Sequence, residues 1–487
     1  MRKKILFVTP PYHCGVVEVA GTWLPSQFVY LAESARKAGV EPHIFDAMGL
    51  WKSHGEIMRA IKDLRPDYVA VSTITATVPD SLKVLENAKK INPDIVTLIG
   101  GVHPTFMDRE ILSDCKAVDY VIRGEGEVTL CEFLKCHARG GDPAKVRGLS
   151  FRRAGKVFRT PKRPLVKDLD SLGRAWDLIN WESYTYYVYP GSRLATINTS
   201  RGCESLCTFC SQQKFWNKTW RGRSGKSVIA EIEHLHRDFG VDVILLGDEY
   251  PTSDRARWER FLDSLIARAL PIRFLMETRV EDIVRDRDIM HKYRKAGFVH
   301  IYMGVEATNQ ATLDLIKKDL KVELSKQAID IVHAHGMITE TSFILGFPHE
   351  TPGTIKATFD LSRWYNPDFA HYLALAPWPY ADIYGAMKKH VVVRDYSRYN
   401  LIDPVIKPSA MTLKDIDRAM IECYRDFYAG KMREIIAMKD AAKKQYMLAS
   451  MKLIMSSSFI TKKMGGLTGA PKHCFAAIKS LMKGAKS

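Results

Sequence analysis

The sequence predicts an α/β protein with two successive βα domains and a helical C-terminal region. Short apolar runs alternate with helical stretches over the first 140 residues, and a second such series begins at Leu194. The residues after 387 are rich in Met and Lys and carry no strand pattern. Alternating strands and helices are typical of parallel sheets covered by helices. A chain of 487 residues is long enough for two or three domains.

Residues 1–140 are predicted to form a doubly wound parallel sheet. The predicted strands are 5–10, 42–46, 68–73, 95–100 and 118–123, and the predicted helices are 27–38, 53–64, 80–91 and a last one through Cys131. Such sheets bind ligands beyond the carboxyl ends of their strands. Three turns rich in glycine or hydroxyl groups fall there, with the candidate binding residues Ser72, Thr73, Gly100, Gly101, Val102, Gly124 and Glu125.

Residues 141–193 are predicted to connect the two domains. Two short apolar runs at 149–152 and 157–159 flank Ala154-Gly155 and predict a hairpin. Three prolines and the aromatic run at 184–189 predict an irregular bridge that packs between the domains.

Residues 194–386 are predicted to form a partial barrel of six βα units. The predicted strands are 195–199, 243–246, 272–276, 300–303, 341–345 and 370–375. Helices are predicted between them, for instance at 227–239 and 253–269. A barrel of this kind builds its site at the carboxyl ends of the strands. Residues 387–487 complete the chain as a basic helical region.

Three cysteines lie within eight residues directly after the first barrel strand: Cys203, Cys207 and Cys210. Cysteine thiolates are the usual protein ligands of iron–sulfur clusters. Three of them would leave one iron of a 4Fe-4S cluster open to a substrate. The alternative is a zinc knuckle, which usually needs a fourth Cys or His at a matching spacing, and none follows closely.

The C-x3-C-x2-C spacing, with Phe209 just before the last cysteine, resembles that of the radical S-adenosylmethionine enzymes. The resemblance implies that the open iron binds S-adenosylmethionine and that the cluster cleaves it to a 5′-deoxyadenosyl radical. Gly247-Asp248-Glu249-Tyr250-Pro251 resembles the Gly-Gly-Glu-Pro element of that family, with Asp248 in place of the second glycine. The resemblance implies that S-adenosylmethionine contacts Phe209, Gly247, Asp248, Glu249, Glu277, Arg279 and Glu306. Structural ion pairs are the alternative role for the charged members.

The N-terminal sheet resembles the cobalamin-binding domain of one subclass of these enzymes. The resemblance implies that the candidate residues in its turns bind cobalamin. The Asp-x-His-x-x-Gly motif that supplies a cobalt ligand in many such domains is missing from the sequence. His13 and His103 follow predicted strands at other spacings, and we expect them to be loop histidines without cobalt.

A narrower resemblance is to the anaerobic magnesium-protoporphyrin IX monomethyl ester cyclase family of bacteriochlorophyll biosynthesis. It is carried by residues 10–15 with 20–25, 100–103, 123–127, 210–216, 377–380, 395–400 and 406–408. It implies oxygen-independent closure of the isocyclic ring, with a keto oxygen from water and a tetrapyrrole substrate near Trp378 and Tyr380. A cobalamin-dependent methyltransferase and a non-catalytic cobalamin-binding module are the alternatives.

Charge and composition predict the surroundings of the protein. The net charge is +17, and residues 431–487 hold twelve Lys and Arg residues against two acidic ones, a net charge of +10. Such a tail can meet an anionic membrane surface, nucleic acid or an acidic ligand, and a solvated helix face is the alternative. We expect peripheral membrane contact and no nucleic acid. No apolar run spans a bilayer, and six further cysteines are scattered, so we expect a cytoplasmic protein with free thiols. A reductase such as flavodoxin or ferredoxin would supply electrons.

Overall fold

The computed structural model describes residues 2–14 and 20–456. The first domain contains five parallel strands: β1 (Lys4–Thr9), β2 (Glu41–Asp46), β3 (Tyr68–Ser72), β4 (Val96–Gly100) and β5 (Tyr120–Ile122). They lie in the order β2-β1-β3-β4-β5. The chain therefore reverses its winding direction between β1 and β3, as in doubly wound folds. The predicted parallel sheet is confirmed.

Helices cover both faces of this sheet: α1 (Ser26–Lys37), α2 (His54–Leu64), α3 (Val78–Ile91), α4 (Val102–Asp114) and α5 (Gly126–Ala138). Successive strand residues enter opposite cores, so that Phe7 belongs to one apolar cluster and Val8 to the other. Helix α4 was not predicted, because Gly101 and Pro104 indicated a turn. Pro104 lies in the first turn of α4, where a backbone N–H has no partner within the helix and its loss costs little.

The predicted hairpin forms strands β6 (Leu149–Arg153) and β7 (Lys156–Arg159). Its two turn residues, Ala154 and Gly155, both have positive φ, as a two-residue hairpin turn of the favoured hand requires. The hairpin adds two antiparallel strands beside β5, an extension of the first sheet that was not predicted.

The rest of the connector contacts both domains, as expected. The Tyr184 hydroxyl donates to Asp46 Oδ2 in the first domain at 3.0 Å. The Trp176 Nε1–H donates to Glu231 Oε1 in the second domain, also at 3.0 Å.

The second domain contains eight strands: β8 (Leu194–Ile197), β9 (Ser200–Gly202), β10 (Trp220–Gly222), β11 (Val243–Leu246), β12 (Arg273–Arg279), β13 (Phe298–Glu306), β14 (Ile338–Leu345) and β15 (Phe369–Ala374). Six of them form a parallel sheet in the order β15-β14-β13-β12-β11-β8, so the six predicted barrel strands are confirmed. Strands β9 and β10 form an antiparallel ribbon, and the cysteine loop is part of the segment that connects them.

The helices of this domain are α6 (Gln212–Phe215), α7 (Gly225–Phe239), α8 (Arg255–Arg268), α9 (Val280–Arg285), α10 (Met290–Lys295), α11 (Gln310–Leu315), α12 (Val322–Ala334) and α13 (Pro352–Tyr365). They pack with the strands around one large apolar core that includes Trp258, Phe298 and Phe343.

The C-terminal region is helical, with α14 (Tyr384–Met387), α15 (Leu413–Ala437) and α16 (Ala441–Ser456). Helix α15 begins with a capping box in which Thr412 and Asp415 bond each other's backbone N–H groups. The predicted basic tail continues into residues 457–487, which lie outside the described residues. None of the helices in the described part of the chain is both long and apolar enough to cross a bilayer.

Candidate active site

The cysteine loop follows β8 and β9 at the carboxyl end of the first barrel strand, and the neighbouring segments hold its backbone. Thr208 donates its N–H to Ile316 O at 2.8 Å, and its carbonyl accepts the N–H of Ile383 at 2.9 Å. Gln213 Nε2 donates to Cys207 O at 3.1 Å. The loop is therefore fixed by two distant parts of the chain and by the segment that directly follows it.

The three thiols lie close enough to influence one another. Burial, with added contributions from charge on Cys207 and Cys203, raises the pKa of Cys210 to about 12. Burial also raises the pKa of Cys207, and the nearby Lys318 ammonium opposes that shift. Buried thiols of this kind become stable thiolates when a metal replaces their protons. Three thiols in one partly buried loop are thus a donor set that fits an iron–sulfur cluster.

The arrangement of the thiols also bears on the zinc alternative. Among the described residues, no group of three or more His, Cys, Asp or Glu side chains is placed to hold a single metal ion. Thiolates that bind three different irons of one cluster stand farther apart than the four ligands of one zinc ion. A complete set of zinc ligands is thus not found among the described residues.

Gly247 and Asp248, directly after β11, support the chain that leads into the cysteine loop. The Asp248 side chain is only 2% exposed, and its carboxylate accepts the backbone N–H and the hydroxyl of Thr199 at 2.9 and 2.8 Å and the hydroxyl of Ser200 at 2.5 Å. These contacts commit the carboxylate to the fold, so only the Asp248 backbone is available to a ligand. A Cβ on Gly247 would lie 2.9 Å from Thr196 Cγ2, so a glycine fits here.

Glu249 connects the same strand end to the cysteine loop and to the segment after it. Its carboxylate accepts the N–H of Gly202 at 3.1 Å and the indole N–H of Trp216 at 2.9 Å. Burial raises the pKa of Glu249. One carboxylate therefore fixes the residue before Cys203 relative to an aromatic side chain beyond Cys210.

Arg279, at the end of β12, also braces the loop. Its Nη1 donates to the hydroxyl of Ser205, between the first two cysteines, at 2.9 Å, and its Nη2 donates to Asp319 O at 2.9 Å.

Phe209, the aromatic residue before the last cysteine, packs partly buried against the barrel core.

Glu306 ends β13 at a bulge and is one of the few non-glycine residues with positive φ, at 67°. Its Oε1 lies 3.3 Å from Lys318 Nζ, and its Oε2 accepts the hydroxyl of Ser342 at 3.3 Å. Strained backbone of this type is typical of functional sites. Lys318, which the sequence did not single out, places a buried positive charge beside both Glu306 and the cysteine loop.

A cavity of about 260 Å³ lies between the two domains at the carboxyl ends of β3, β4 and β5. Five of the seven residues predicted to bind cobalamin line it: Ser72, Gly100, Gly101, Gly124 and Glu125. Of the other two, Thr73 turns its hydroxyl to Ser81 Oγ at 2.8 Å, and Val102 begins α4. Trp216 and Glu249 line the opposite wall, so the cavity adjoins the cysteine loop.

The two histidines considered as cobalt ligands lie outside this cavity lining. His103 is fully buried, with its Nδ1 3.1 Å from Thr75 Oγ1 and its ring edge-on to Tyr380 and Tyr396. Burial lowers the pKa of His103 to about 4. His13 stacks on Trp51 with ring centroids 3.8 Å apart. Both histidines therefore have structural contacts.

A second cavity of about 500 Å³ fills the barrel lumen. The paired register places Glu277, Tyr302, Glu340 and Phe369 in one layer of inward-facing side chains. Most of the other lining is apolar or aromatic: Trp23, Leu24, Leu245, Leu275, Leu373, Tyr424, Tyr428 and Leu453. The lumen thus combines apolar walls with a few ionisable groups, as ligand sites usually do.

The polar groups of the lumen form a connected network that the sequence did not reveal. Glu340 lies between two imidazoles: His300 Nε2 is 2.8 Å from its Oε2, and His371 Nε2 contacts its Oε1. His300 Nδ1 lies 2.7 Å from the hydroxyl of Tyr446, which belongs to α16. Burial alone would raise the pKa of Glu340, but the two imidazoles outweigh burial and hold that pKa far below its usual range.

Glu277 lines the same cavity: protein atoms surround its carboxyl group on most sides, but the residue is exposed to the cavity space. Burial, with the charges of Glu340 and Glu249 as lesser causes, raises the pKa of Glu277 to about 7. A carboxyl group poised near neutrality in a cavity marks a functional site.

The structure does not place the two predicted substrate residues in the lumen. Tyr380 is 8% exposed, its hydroxyl is 3.0 Å from Thr75 Oγ1, and its ring stacks on Phe106. Trp378 packs partly buried against the barrel core. Neither residue lines either cavity. Tyr380 instead joins the barrel to the first domain.

Comparison with known families and proteins agrees with this site. The B12 binding domain family matches residues 12–134, and the Radical SAM superfamily matches residues 197–362. The predicted cofactors, cobalamin, S-adenosylmethionine and an iron–sulfur cluster, are therefore those of the two matching families. The chain is 36% identical to an anaerobic magnesium-protoporphyrin IX monomethyl ester cyclase of Rubrivivax gelatinosus, over 94% of this chain and 83% of that protein.

Two further relatives show the range of the group. A cyclase of the same name from Cereibacter sphaeroides is 36% identical over 88% of this chain and 71% of its own length. An uncharacterised methyltransferase of Pyrococcus horikoshii is 29% identical over 90% of this chain and 94% of its own length.

The same fold is found in a solved structure, the cobalamin-dependent S-adenosylmethionine radical enzyme OxsB with aqua-cobalamin and S-adenosylmethionine bound. It superimposes with a TM-score of 0.70 at 16% identity, over 96% of this chain and 74% of that one. The chain is a radical S-adenosylmethionine enzyme with a cobalamin-binding domain, and it belongs to the family of the anaerobic magnesium-protoporphyrin IX monomethyl ester cyclases.

Proposed function

We propose that the protein closes the isocyclic ring of magnesium-protoporphyrin IX monomethyl ester without dioxygen, giving protochlorophyllide with a keto oxygen from water. The observation that carries this proposal is the similarity to two proteins named as this cyclase along nearly the whole chain. The similarity covers both cofactor domains and the segments between them, and it exceeds the identity to the methyltransferase relative.

The proposed cluster ligands are Cys203, Cys207 and Cys210. When bound, the cluster and S-adenosylmethionine supply a radical that removes hydrogen atoms from the substrate, and cobalamin occupies the cavity between the domains. Phe209, Gly247, the Asp248 backbone, Glu249, Glu277, Arg279 and Glu306 surround the place proposed for S-adenosylmethionine. Arg279 and Glu249 orient the cysteine loop through Ser205 and Gly202.

The barrel lumen is proposed to receive the reacting edge of the tetrapyrrole. Its apolar and aromatic walls suit a flat macrocycle and exclude bulk water, which protects a radical from side reactions. Glu340, held between its two imidazoles, provides an ionised group in the lumen that can orient the substrate or a water molecule by accepting hydrogen bonds.

Anaerobic reconstitution tests the proposal. The protein is loaded with iron, sulfide and hydroxocobalamin, reduced, and incubated with S-adenosylmethionine and the magnesium porphyrin ester in ¹⁸O-labelled water. We expect protochlorophyllide that carries one labelled oxygen. Protein that holds its cluster and cleaves S-adenosylmethionine but forms no isocyclic ring would contradict the specific assignment and leave the enzyme class intact.

A cobalamin-dependent methyltransferase is the second candidate, because one relative over nearly the full chain carries that name. Methylation consumes a second S-adenosylmethionine and releases S-adenosylhomocysteine, whereas ring closure does not. Quantifying S-adenosylhomocysteine in the same reaction therefore separates the two functions.

The partners and the domain limits follow from the same proposal. We infer a flavodoxin- or ferredoxin-type reductase as electron donor, and domains at 1–140, 194–386 and 387–487 joined by the connector 141–193. We propose that the protein is cytoplasmic, and the surplus of basic residues in 431–487 supports peripheral membrane contact. Sedimentation with anionic liposomes, with and without residues 457–487, tests that contact, and equal binding of the two forms would contradict it.

A further inference from the structure

A cluster of four charged side chains joins the first domain to the cysteine loop. Arg201 Nη1 lies 2.9 Å from Glu125 Oε1, and Arg201 Nη2 lies 2.6 Å from Glu127 Oε1. Arg221 Nη1 lies 3.1 Å from both oxygens of Glu125. The Arg201, Glu125 and Glu127 side chains are only 11%, 3% and 9% exposed, so these ion pairs are well shielded from water. We call this group the Arg201 clamp.

The clamp spans the domain boundary. Glu125 and Glu127 stand at the start of α5 in the first domain, whereas Arg201 and Arg221 pair across the β9–β10 ribbon of the second. Arg201 lies two residues before Cys203, and the N–H of the intervening Gly202 donates to Glu249. A shift of α5 would therefore be transmitted to the cysteine loop within two residues.

The clamp also forms part of the wall of the cobalamin cavity. Glu125, Glu127, Arg201 and Tyr30 all line that cavity. The Arg201 guanidinium lies 5.0 Å from the centre of the Tyr30 ring, and the Arg221 guanidinium lies 5.4 Å from that of Trp216, another lining residue. Three members of the clamp thus face both a ligand in this cavity and the ribbon that carries the cysteine loop.

Shielded ion pairs resist partial disruption, because a charge that loses its partner stays buried and uncompensated. The clamp contains two positive and two negative charges, so separating any member would leave an unbalanced buried charge. We therefore expect its members to move together. We propose that Arg201 is a positioning residue through which occupancy of the cobalamin cavity tightens S-adenosylmethionine binding at the cysteine loop. The inference rests on the proposed cofactor sites and not on the identity of the substrate.

Binding measurements on the unreduced holoenzyme test this inference without turnover. S-adenosylmethionine is titrated into cluster-loaded protein with and without hydroxocobalamin, and affinity is read by calorimetry. We expect cobalamin to lower the dissociation constant of the wild-type protein by about fivefold or more, a usual size for coupled sites. By reciprocity, S-adenosylmethionine should tighten cobalamin binding by the same factor.

The Glu127→Gln variant removes one charge of the clamp and should abolish most of this coupling while each ligand alone still binds. Arg201→Lys keeps the charge but loses the two-pronged geometry, and it should retain an intermediate effect. The matched control is Glu132→Gln. Glu132 lies in α5 like Glu127, but it pairs with Arg163 of the connector and is more exposed, so this variant should behave as wild type. Coupling of wild-type size in both clamp variants, or no coupling in the wild type, would overturn the proposal. A failure of the ring-closure assay leaves this result unaffected.

Discussion

Lys214 and Asp382 form an ion pair 2.6 Å long that ties the segment after the cysteine loop to the chain beyond the last barrel strand. The Lys214 ammonium also donates to Tyr380 O at 2.7 Å. Two stretches that carry the family resemblance, residues 210–216 and 377–380, are thus in direct contact. Their common role is to hold the cysteine loop against the first domain, because the Tyr380 hydroxyl reaches Thr75.

Replacing Lys214 with Met should loosen the cysteine loop and accelerate cluster loss. The pair is partly exposed, so global stability should fall by no more than about 1 kcal/mol. Iron release to a chelator under anaerobic conditions should nevertheless become several-fold faster. Lys356→Met, which breaks the exposed pair between Lys356 and Asp360, is the control and should release iron at the wild-type rate. Equal rates in both variants would argue against a loop-holding role.

Replacing Glu340 with Gln should separate S-adenosylmethionine cleavage from product formation. The amide carries no charge, so the lumen loses the fixed negative group that His300 and His371 hold in place. We expect 5′-deoxyadenosine to form at a near-normal rate while ring closure falls at least tenfold, equivalent to ~1.4 kcal/mol. The measurement is the ratio of the two products. An unchanged ratio would exclude the lumen network from the reaction.

The raised pKa of Glu277 predicts a pH-dependent loss of stability. Its pKa moves from an ordinary 4.5 to about 7 in the folded protein. Between these values the unfolded chain releases a proton that the folded chain retains, so stability falls as pH rises through the window and then levels off. Glu277→Gln cannot titrate there. Urea unfolding at pH 5 and pH 8 should therefore show a smaller drop in the variant than in the wild type, and equal drops would contradict the assignment.

Replacing Gly101 with Ala should weaken cobalamin binding. Gly101 has φ +104°, and an added Cβ would lie 2.4 Å from Thr73 O, so the cavity rim at Ser72 and Thr73 must shift. We expect the dissociation constant for hydroxocobalamin to rise by about tenfold. Gly39→Ala is the control, since Gly39 also has positive φ but has open space around its Cβ position. It should cost only about 1 kcal/mol of stability and leave cobalamin affinity unchanged.

The two sheets could be predicted from the sequence because buried parallel strands are short apolar runs at regular spacing. All six barrel strands and the five parallel strands of the first domain lie close to their predicted positions. Helix α4 was missed because Gly101 and Pro104 locally favour a turn. The helix forms nevertheless, because proline is tolerated in a first helical turn and tertiary packing stabilises the rest.

The cysteine loop and the glycine turns are local motifs, and Glu277, Arg279 and Glu306 were indicated by the family resemblance. The lumen network was not indicated, because His300, Glu340 and His371 come from three different strands and meet only in the folded chain. The one signal for them is an ionisable residue at an inward-facing position of a strand that is otherwise apolar. Tyr380 lies in the contact between the domains, and its predicted role toward the substrate stays a prediction.

Electron paramagnetic resonance of the anaerobically reduced protein, with and without S-adenosylmethionine, tests the central claim most directly. A cluster held by Cys203, Cys207 and Cys210 with one open iron should give a 4Fe-4S signal that shifts when S-adenosylmethionine binds. Replacing any of these cysteines with alanine should remove the signal and the formation of 5′-deoxyadenosine, and Cys131→Ala should change neither. A wild-type protein that binds zinc there, or a signal that does not respond to S-adenosylmethionine, would contradict the account.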